Sequence, residues 1–68
     1  MRQVIIYQGE DGFYVAECTS LPGCISQGET KEQAIINIKE AIDVYILALK
    51  DQGLPIPVEN FDSMLVTV

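Results

Sequence analysis

The sequence contains no histidine and no tryptophan, and only two of its 68 residues are cysteines. Without histidine, neither a Ser-His-Asp nor a Cys-His catalytic arrangement can be built. Cys18 and Cys24 alone make a poor zinc site, and we expect two half-buried free thiols beside a turn. No apolar run approaches the ~20 residues of a membrane span, and the start lacks the pattern of a signal peptide. These absences predict a cytoplasmic, non-enzymatic protein without metal or cofactor.

Basic residues are also scarce, with four against ten acidic residues and a net charge of −6. Lysine and arginine supply most of the affinity for phosphates, so unaided binding to nucleic acid is not expected. A basic protein partner suits this charge, although acidity can also serve solubility alone. Apolar residues make up 49% of a single short domain, 1–68. This surplus favours a homo-oligomer, a dimer or a tetramer, or another protein partner.

One long amphipathic helix is predicted between Thr30 and Gly53. Thr30 and Gln33 have the spacing of a capping box. In this motif the Thr30 hydroxyl accepts a hydrogen bond from the amide of Gln33, and the Gln33 side chain reaches back to the backbone of Thr30. Gly53 suits the left-handed position after the last turn, and Pro55 prevents the helix from continuing. The 3.6-residue period places nine residues on one apolar face: Ala34, Ile35, Ile38, Ala41, Ile42, Tyr45, Ile46, Ala48 and Leu49.

Strands are predicted at 2–8, 13–18, 24–29 and 64–68, which gives the order β-β-β-α-β and an α+β domain. The first three strands form an antiparallel meander. The helix returns the chain, so the last strand is expected to run parallel to the first, in sheet order 3-2-1-4. The connector at 54–61 is expected to pack on the body through Ile56, Val58 and Phe61.

A single helix covers only one face of this predicted sheet, while the strands carry apolar residues on both. The helix also has a second apolar stripe that points away from the core. Scattered surface apolar residues are the alternative explanation for both features. The candidate residues for contact with a partner or a second copy are Ile36, Val44 and Leu47 on the helix, and Ile5, Tyr7 and Tyr14 on the sheet.

Carboxylates are the remaining route to catalysis, because paired acids can bind magnesium. Glu40 and Asp43 lie at i,i+3 and Glu32 lies in the first helical turn. Neither the first nor the last strand carries an acid that could converge with them, so a solvated helix face is the better interpretation. Glu17 on the second strand is likewise interpreted as an exposed cross-strand residue.

Four groups of residues, in their order and spacing, resemble the HicB antitoxin family over roughly residues 4–60. They are Gly12-Phe13-Tyr14-Val15-Ala16, then Leu21-Pro22-Gly23-Cys24, then Gly28-Glu29-Thr30, and finally Ala34, Asn37, Lys39-Glu40-Ala41 and Ile42.

The resemblance implies a partial ribonuclease H-like fold with the 3-2-1-4 sheet, but no activity, since the convergent acids of that enzyme are not matched. It also implies binding to a HicA-type toxin, a small basic ribonuclease with a double-stranded-RNA-binding-like fold that cleaves mRNA. An antitoxin that neutralises such a toxin, and forms oligomers as family members commonly do, is the leading hypothesis.

Many HicB antitoxins continue into a helix-turn-helix or ribbon-helix-helix segment, whereas this sequence ends at Val68, after the last predicted strand. Operator binding by this chain alone is therefore not expected. The alternative function is a self-associating structural or small-molecule-binding module without a toxin, and a metal-dependent nuclease is a third hypothesis. Sequence alone does not choose between the sheet face and the helix stripe as the contact surface.

Overall fold

The computed structural model describes residues 2–59 and 66–67. Strands β1 (Val4–Gln8), β2 (Tyr14–Cys18) and β3 (Ile25–Gly28) precede helix α1 (Lys31–Asp51). The strands form an antiparallel sheet in the order β1-β2-β3, and α1 packs across one face. The α+β class and the first four elements are thus confirmed. Of the predicted fourth strand at 64–68, residues 66–67 are described, and they are exposed and not in a strand; the rest of it, and its position in the sheet, lie outside the described residues.

Both hairpin connections follow the local sequence. The loop after β1 closes through the amide of Gly9, which donates to the carbonyl oxygen of Phe13 at 2.8 Å. In the loop after β2, the amide of Cys24 donates to the carbonyl oxygen of Leu21 at 3.0 Å, and Gly23 has φ +78°. Pro22 and Gly23 therefore occupy the two central positions of the turn, as predicted, because the second of them requires a positive φ.

The ends of α1 lie close to the predicted ones. The amide of Gln33 donates to Oγ1 of Thr30 at 3.0 Å, but the Gln33 side chain donates to Oδ1 of Asn37 instead of reaching back. Only half of the predicted capping box is therefore formed. At the other end, the amide of Leu54 donates to the carbonyl oxygen of Leu49 and Gly53 has φ +69°, which together make a Schellman cap.

Small residues let the helix approach the sheet closely. A Cβ atom placed on Gly28 would lie 2.6 Å from the amide nitrogen of Ala34, so no larger residue fits at this contact. Six residues form the buried core between helix, sheet and second hairpin loop: Ala16, Cys18, Leu21, Cys24, Ala34 and Ile38.

The predicted apolar face of α1 is mostly on the core side. Ala34 and Ile38 are buried, and five further members are half-buried. Ile35 and Ala48 are exposed, contrary to the prediction. Ile35 lines a groove beside β1 rather than the core, because the described sheet ends at that strand.

The connector after α1 is fastened by a polar contact and not by the predicted apolar ones. Val58 is 88% exposed, and Ile56 is exposed as well. Glu59 instead accepts a hydrogen bond of 2.7 Å from Oγ of Ser20. Phe61, the third predicted contact, lies outside the described residues.

Candidate partner-binding surfaces

The side of the sheet away from α1 is an open apolar surface. Strand register places Glu17 between Ile5 and Ile25, and Val15 between Tyr7 and Gln27. Side chains alternate across a strand, so all six point away from the helix. Tyr7 and Ile25 are 48% and 54% exposed. We refer to these residues as the open sheet face: Ile5, Tyr7, Val15, Glu17, Ile25 and Gln27.

The one charged member of the open sheet face is acidic. Glu17 lies directly across from apolar side chains on both neighbouring strands. The four basic residues of the chain all lie elsewhere: three are on α1, and Arg2 hydrogen-bonds Ser20 on the loop after β2. Two more carboxylates, Asp11 and Glu29, line a hollow beside the exposed ring of Phe13. The open sheet face itself is therefore apolar with one acidic member.

The predicted sheet residues do not share one face. Ile5 and Tyr7 lie on the open sheet face, but Tyr14 packs against the core from the helix side. Its ring lies 5.9 Å from Nζ of Lys31 at the start of α1. Tyr14 is an even-numbered residue in the same strand as Val15, so the alternation of side chains places it on the opposite face.

The predicted helix residues also separate. Ile36 and Leu47 are more than half exposed on the outer side of α1. Val44 is exposed too, but it lines a groove beside β3 together with Ile25 and Tyr45. The helix therefore offers one outer apolar pair and one residue that belongs to the β3 edge.

Reasoning from sequence missed Ile25, Val15 and Glu17 as members of the open sheet face. A strand was predicted at 24–29, but no face was assigned to Ile25 or Gln27. What the sequence lacked was the register that brings Ile25 beside Glu17, which depends on the length of the second hairpin loop.

A half-buried polar cluster at the end of the sheet was also missed. Nη1 of Arg2 donates to Oγ of Ser20 at 2.9 Å, and Ser20 donates to Oε2 of Glu59 at 2.7 Å. Arg2 and Glu59 form an ion pair of 4.0 Å, with side chains 14% and 9% exposed. The cluster joins the two ends of the described chain to the second hairpin loop.

The two cysteines are free and both are buried, more fully than predicted. Burial raises the pKa of the Cys24 thiol, and the nearby Cys18 raises it further. Both causes disfavour the thiolate, which is the reactive form of cysteine. The thiols therefore belong to the core.

A groove of about 630 Å³ lies beside β1, along the edge that pairs with no described strand. Its lining is mostly apolar, with Val4 on the strand and isoleucines on the helix, but Arg2, Lys39 and Asp43 line it as well. Among residues 2–59 and 66–67, no three acidic or cysteine side chains come close enough together to hold a metal ion. In the same part of the chain, no helix is long and apolar enough to cross a membrane.

These features define the structural class of the protein. It is a small α+β domain with one sheet face covered by a helix and the other open. A family model described as "HicB_like antitoxin of bacterial toxin-antitoxin system" matches residues 3–65. The chain therefore belongs to the HicB-like antitoxins.

Individual relatives agree with this assignment. A UPF0150 protein of Thermoplasma acidophilum is 51% identical over 63 residues, which cover 93% of this chain and 91% of the relative. A UPF0150 protein of Synechocystis is 47% identical over 57 residues, which cover 84% and 72%. Among solved structures, a chain of the HicA3 and HicB3 toxin-antitoxin complex superposes with a TM-score of 0.72 at 29% identity. That match covers 87% of this chain and 67% of the solved one.

Proposed function

We propose that this chain is a non-catalytic antitoxin that binds a small basic HicA-type ribonuclease through its open sheet face and thereby neutralises it. Membership of the HicB-like antitoxins and the likeness to a toxin-antitoxin complex support this role. Because such a toxin cleaves mRNA, the proposed place of action is the cytoplasm. The net charge of −6 disfavours direct binding of the chain itself to nucleic acid.

The observation that carries the proposal is the chemistry of the open sheet face. Exposed Tyr7 and Ile25 supply apolar area, and Glu17 supplies one carboxylate with no basic side chain among the six residues of that face. A lysine or arginine from a basic partner could lie between Ile5 and Ile25 and pair with Glu17. Charge complementarity of this kind speeds association and selects the partner.

A titration tests the proposal. The toxin's cleavage of RNA should fall in proportion to added antitoxin and stop at a fixed molar ratio. Glu17→Lys reverses the central charge and should weaken the complex at least about tenfold, since a like charge then faces the basic partner. Asp51→Lys makes the same charge change at the end of α1 and should leave inhibition unchanged. Undiminished RNA cleavage at micromolar antitoxin would contradict the proposed function.

The absence of catalysis by this chain is part of the proposal. Its cysteines are buried, burial raises the pKa of the Cys24 thiol, and the sequence offers no histidine as a general base. Glu40 and Asp43 are exposed on α1 without a converging acid from the described strands. The purified protein should not cleave RNA in the presence of magnesium. Cleavage that Glu40→Gln abolishes would support the nuclease hypothesis instead.

We further propose that residues 64–68 form a fourth strand beside β1, parallel to it, which completes the 3-2-1-4 order and the partial ribonuclease H-like fold. The edge of β1 that pairs with no described strand, and the mostly apolar groove next to it, support this placement. Amide exchange of Val4, Ile6 and Gln8 measures it, because the alternate amides of β1 already pair with β2, in phase with the bond from Gly9 to Phe13. Truncation after Glu59 should speed exchange at alternate β1 amides, and unchanged exchange would contradict the fourth strand.

The same groove also favours the second candidate function, a module that binds a small apolar ligand without a toxin. The groove has the size of a ligand pocket and a mostly apolar lining, with Arg2, Lys39 and Asp43 as its charged members. The two functions differ in their sensitivity to Ile35→Asp. This change should abolish ligand binding in the groove but leave toxin inhibition through the open sheet face intact.

A further inference from the structure

The outer side of α1 carries a stripe of four charged and two apolar residues. They follow each other at intervals of three or four positions, which places them on one side of the helix. All six are exposed, and among the described residues none of the four charged ones forms an ion pair. We call this set the α1 stripe: Glu32, Ile36, Lys39, Asp43, Leu47 and Lys50.

The α1 stripe is complementary to its own reverse. Glu32 and Lys50 are equally far from Ala41, on either side of it, and have opposite charges. Lys39 and Asp43 are likewise equally far from Ala41 and opposite in charge. The apolar members, Ile36 and Leu47, lie at nearly equal distances on the two sides. Reversing the helix about Ala41 therefore sets charge against opposite charge and apolar against apolar.

We propose that two copies of this chain pair through the α1 stripe, antiparallel, about a two-fold axis near Ala41. Glu32 of one copy then faces Lys50 of the second, and Lys39 faces Asp43 of the second. Ile36 packs on Leu47 of the second copy. A two-fold axis makes each of these contacts occur twice, so a stripe of six residues supplies six contacts.

The charges select the orientation as well as the partner. In a parallel pair each member of the stripe would meet its own counterpart, so that all four charged residues would face like charges. The open sheet face is the alternative place for a second copy. A two-fold axis through its centre brings Glu17 towards Glu17 of the second copy, with no basic residue among the members of that face to compensate. Pairing through α1 leaves the open sheet face of both copies free.

The test is a charge exchange followed by sedimentation equilibrium of the full chain at low ionic strength, where exposed ion pairs are least screened. The unaltered protein should be a dimer. In Lys39→Glu, the new carboxylate faces the like charge of Asp43 in the second copy. The two-fold axis makes this repulsive contact occur twice. Asp43→Lys does the same to Lys39. Each variant alone should raise the dissociation constant at least about tenfold.

Mixing the two variants separates pairing between copies from effects within one helix. In the mixed pair, the carboxylate introduced at position 39 of one copy faces the amine introduced at position 43 of the other. The unaltered Asp43 of the first copy faces the unaltered Lys39 of the second, so both contacts are again between opposite charges. An equimolar mixture of Lys39→Glu and Asp43→Lys should therefore dimerise within about threefold of the unaltered protein. No change within one helix can produce this recovery.

Asp51→Lys is the matched control, because it makes the charge change of Asp43→Lys on the same helix but outside the stripe. Its dissociation constant should equal that of the unaltered protein, and circular dichroism should show intact helix in all variants. A dimer with a micromolar dissociation constant should be almost fully formed at about 100 μM protein. If the unaltered protein is monomeric at that concentration, the proposal is overturned. Single variants that dimerise normally, or a mixture that stays monomeric, would overturn it too.

Discussion

The two faces of the sheet differ in the size of their side chains. On the helix side, β2 and β3 present small residues, among them Ala16, Cys18 and Gly28, and α1 packs directly on them. On the open side the same strands, with β1, present large apolar residues, among them Tyr7 and Ile25. Large apolar residues such as Tyr7 and Ile25 thus lie on the side that the described structure does not cover, while Ile6 and Tyr14 pack on the helix side.

This difference indicates what each face is for. Small residues on the covered side set the distance between helix and sheet, and the buried area there stabilises the fold. Large residues on the open side contribute less to the fold, because water still reaches them. Substitutions on the two sides should therefore separate stability from partner binding.

The largest loss of stability is expected from Ile38→Asp on the covered side. A carboxylate at this buried position has no partner, and unfolding should be favoured by more than about 4 kcal/mol, enough to abolish the fold. Ile36→Asp, the same change two residues away on the exposed side of α1, should leave the circular dichroism spectrum intact. An unfolded Ile36→Asp variant would show that both sides of the helix are structural.

Gly28→Ala should cause the next largest loss, about 1–3 kcal/mol in urea unfolding, because the new methyl group meets the backbone of α1. Gly12→Ala is the control. The new Cβ meets nothing within 4 Å, but the alanine has to adopt the φ of +88° that glycine has there. It should cost about 1 kcal/mol through strain alone. Equal losses at the two positions would mean that the close helix approach is not limiting.

Ser20→Ala should lower the free energy of unfolding by about 1–2 kcal/mol, since it leaves the half-buried carboxylate of Glu59 without its hydrogen bond. The exposed neighbour Thr19→Ala makes a similar truncation and should change stability by less than about 0.5 kcal/mol. If Ser20→Ala is as mild as Thr19→Ala, the polar cluster does not fasten the connector.

Tyr7→Asp on the open side should have the smallest effect on the fold, within about 0.5 kcal/mol. Binding of a basic toxin should nevertheless weaken at least about tenfold, because half-exposed apolar area at the proposed interface is lost. Isothermal calorimetry measures the binding, and urea unfolding measures the stability. Full toxin affinity in Tyr7→Asp would place the contact elsewhere.

Local signals predicted most of the fold. Thr30 and Gly53 marked the ends of α1, and Pro22 and Gly23 marked the turn, because capping and turn geometry depend on neighbouring residues. Tyr14 was assigned to the same surface as Ile5 and Tyr7, whereas the register turns it to the helix side.

Contacts distant in sequence were not predictable. Ser20 and Glu59 are 39 residues apart, and nothing in either local sequence indicates the other. The expectation that Val58 packs on the body was wrong for the same reason, since its neighbour Glu59 takes the anchoring role. Pairing of this kind depends on how the chain returns after the helix, which local patterns do not encode.

The most direct measurement is a methyl NMR titration of the full chain with a HicA-type toxin. If the open sheet face is the binding surface, the methyl signals of Ile5, Val15 and Ile25 should shift with added toxin, while those of Ile36 and Leu47 stay in place. Shifts confined to Ile36 and Leu47, or no shift at saturating toxin, would contradict the account.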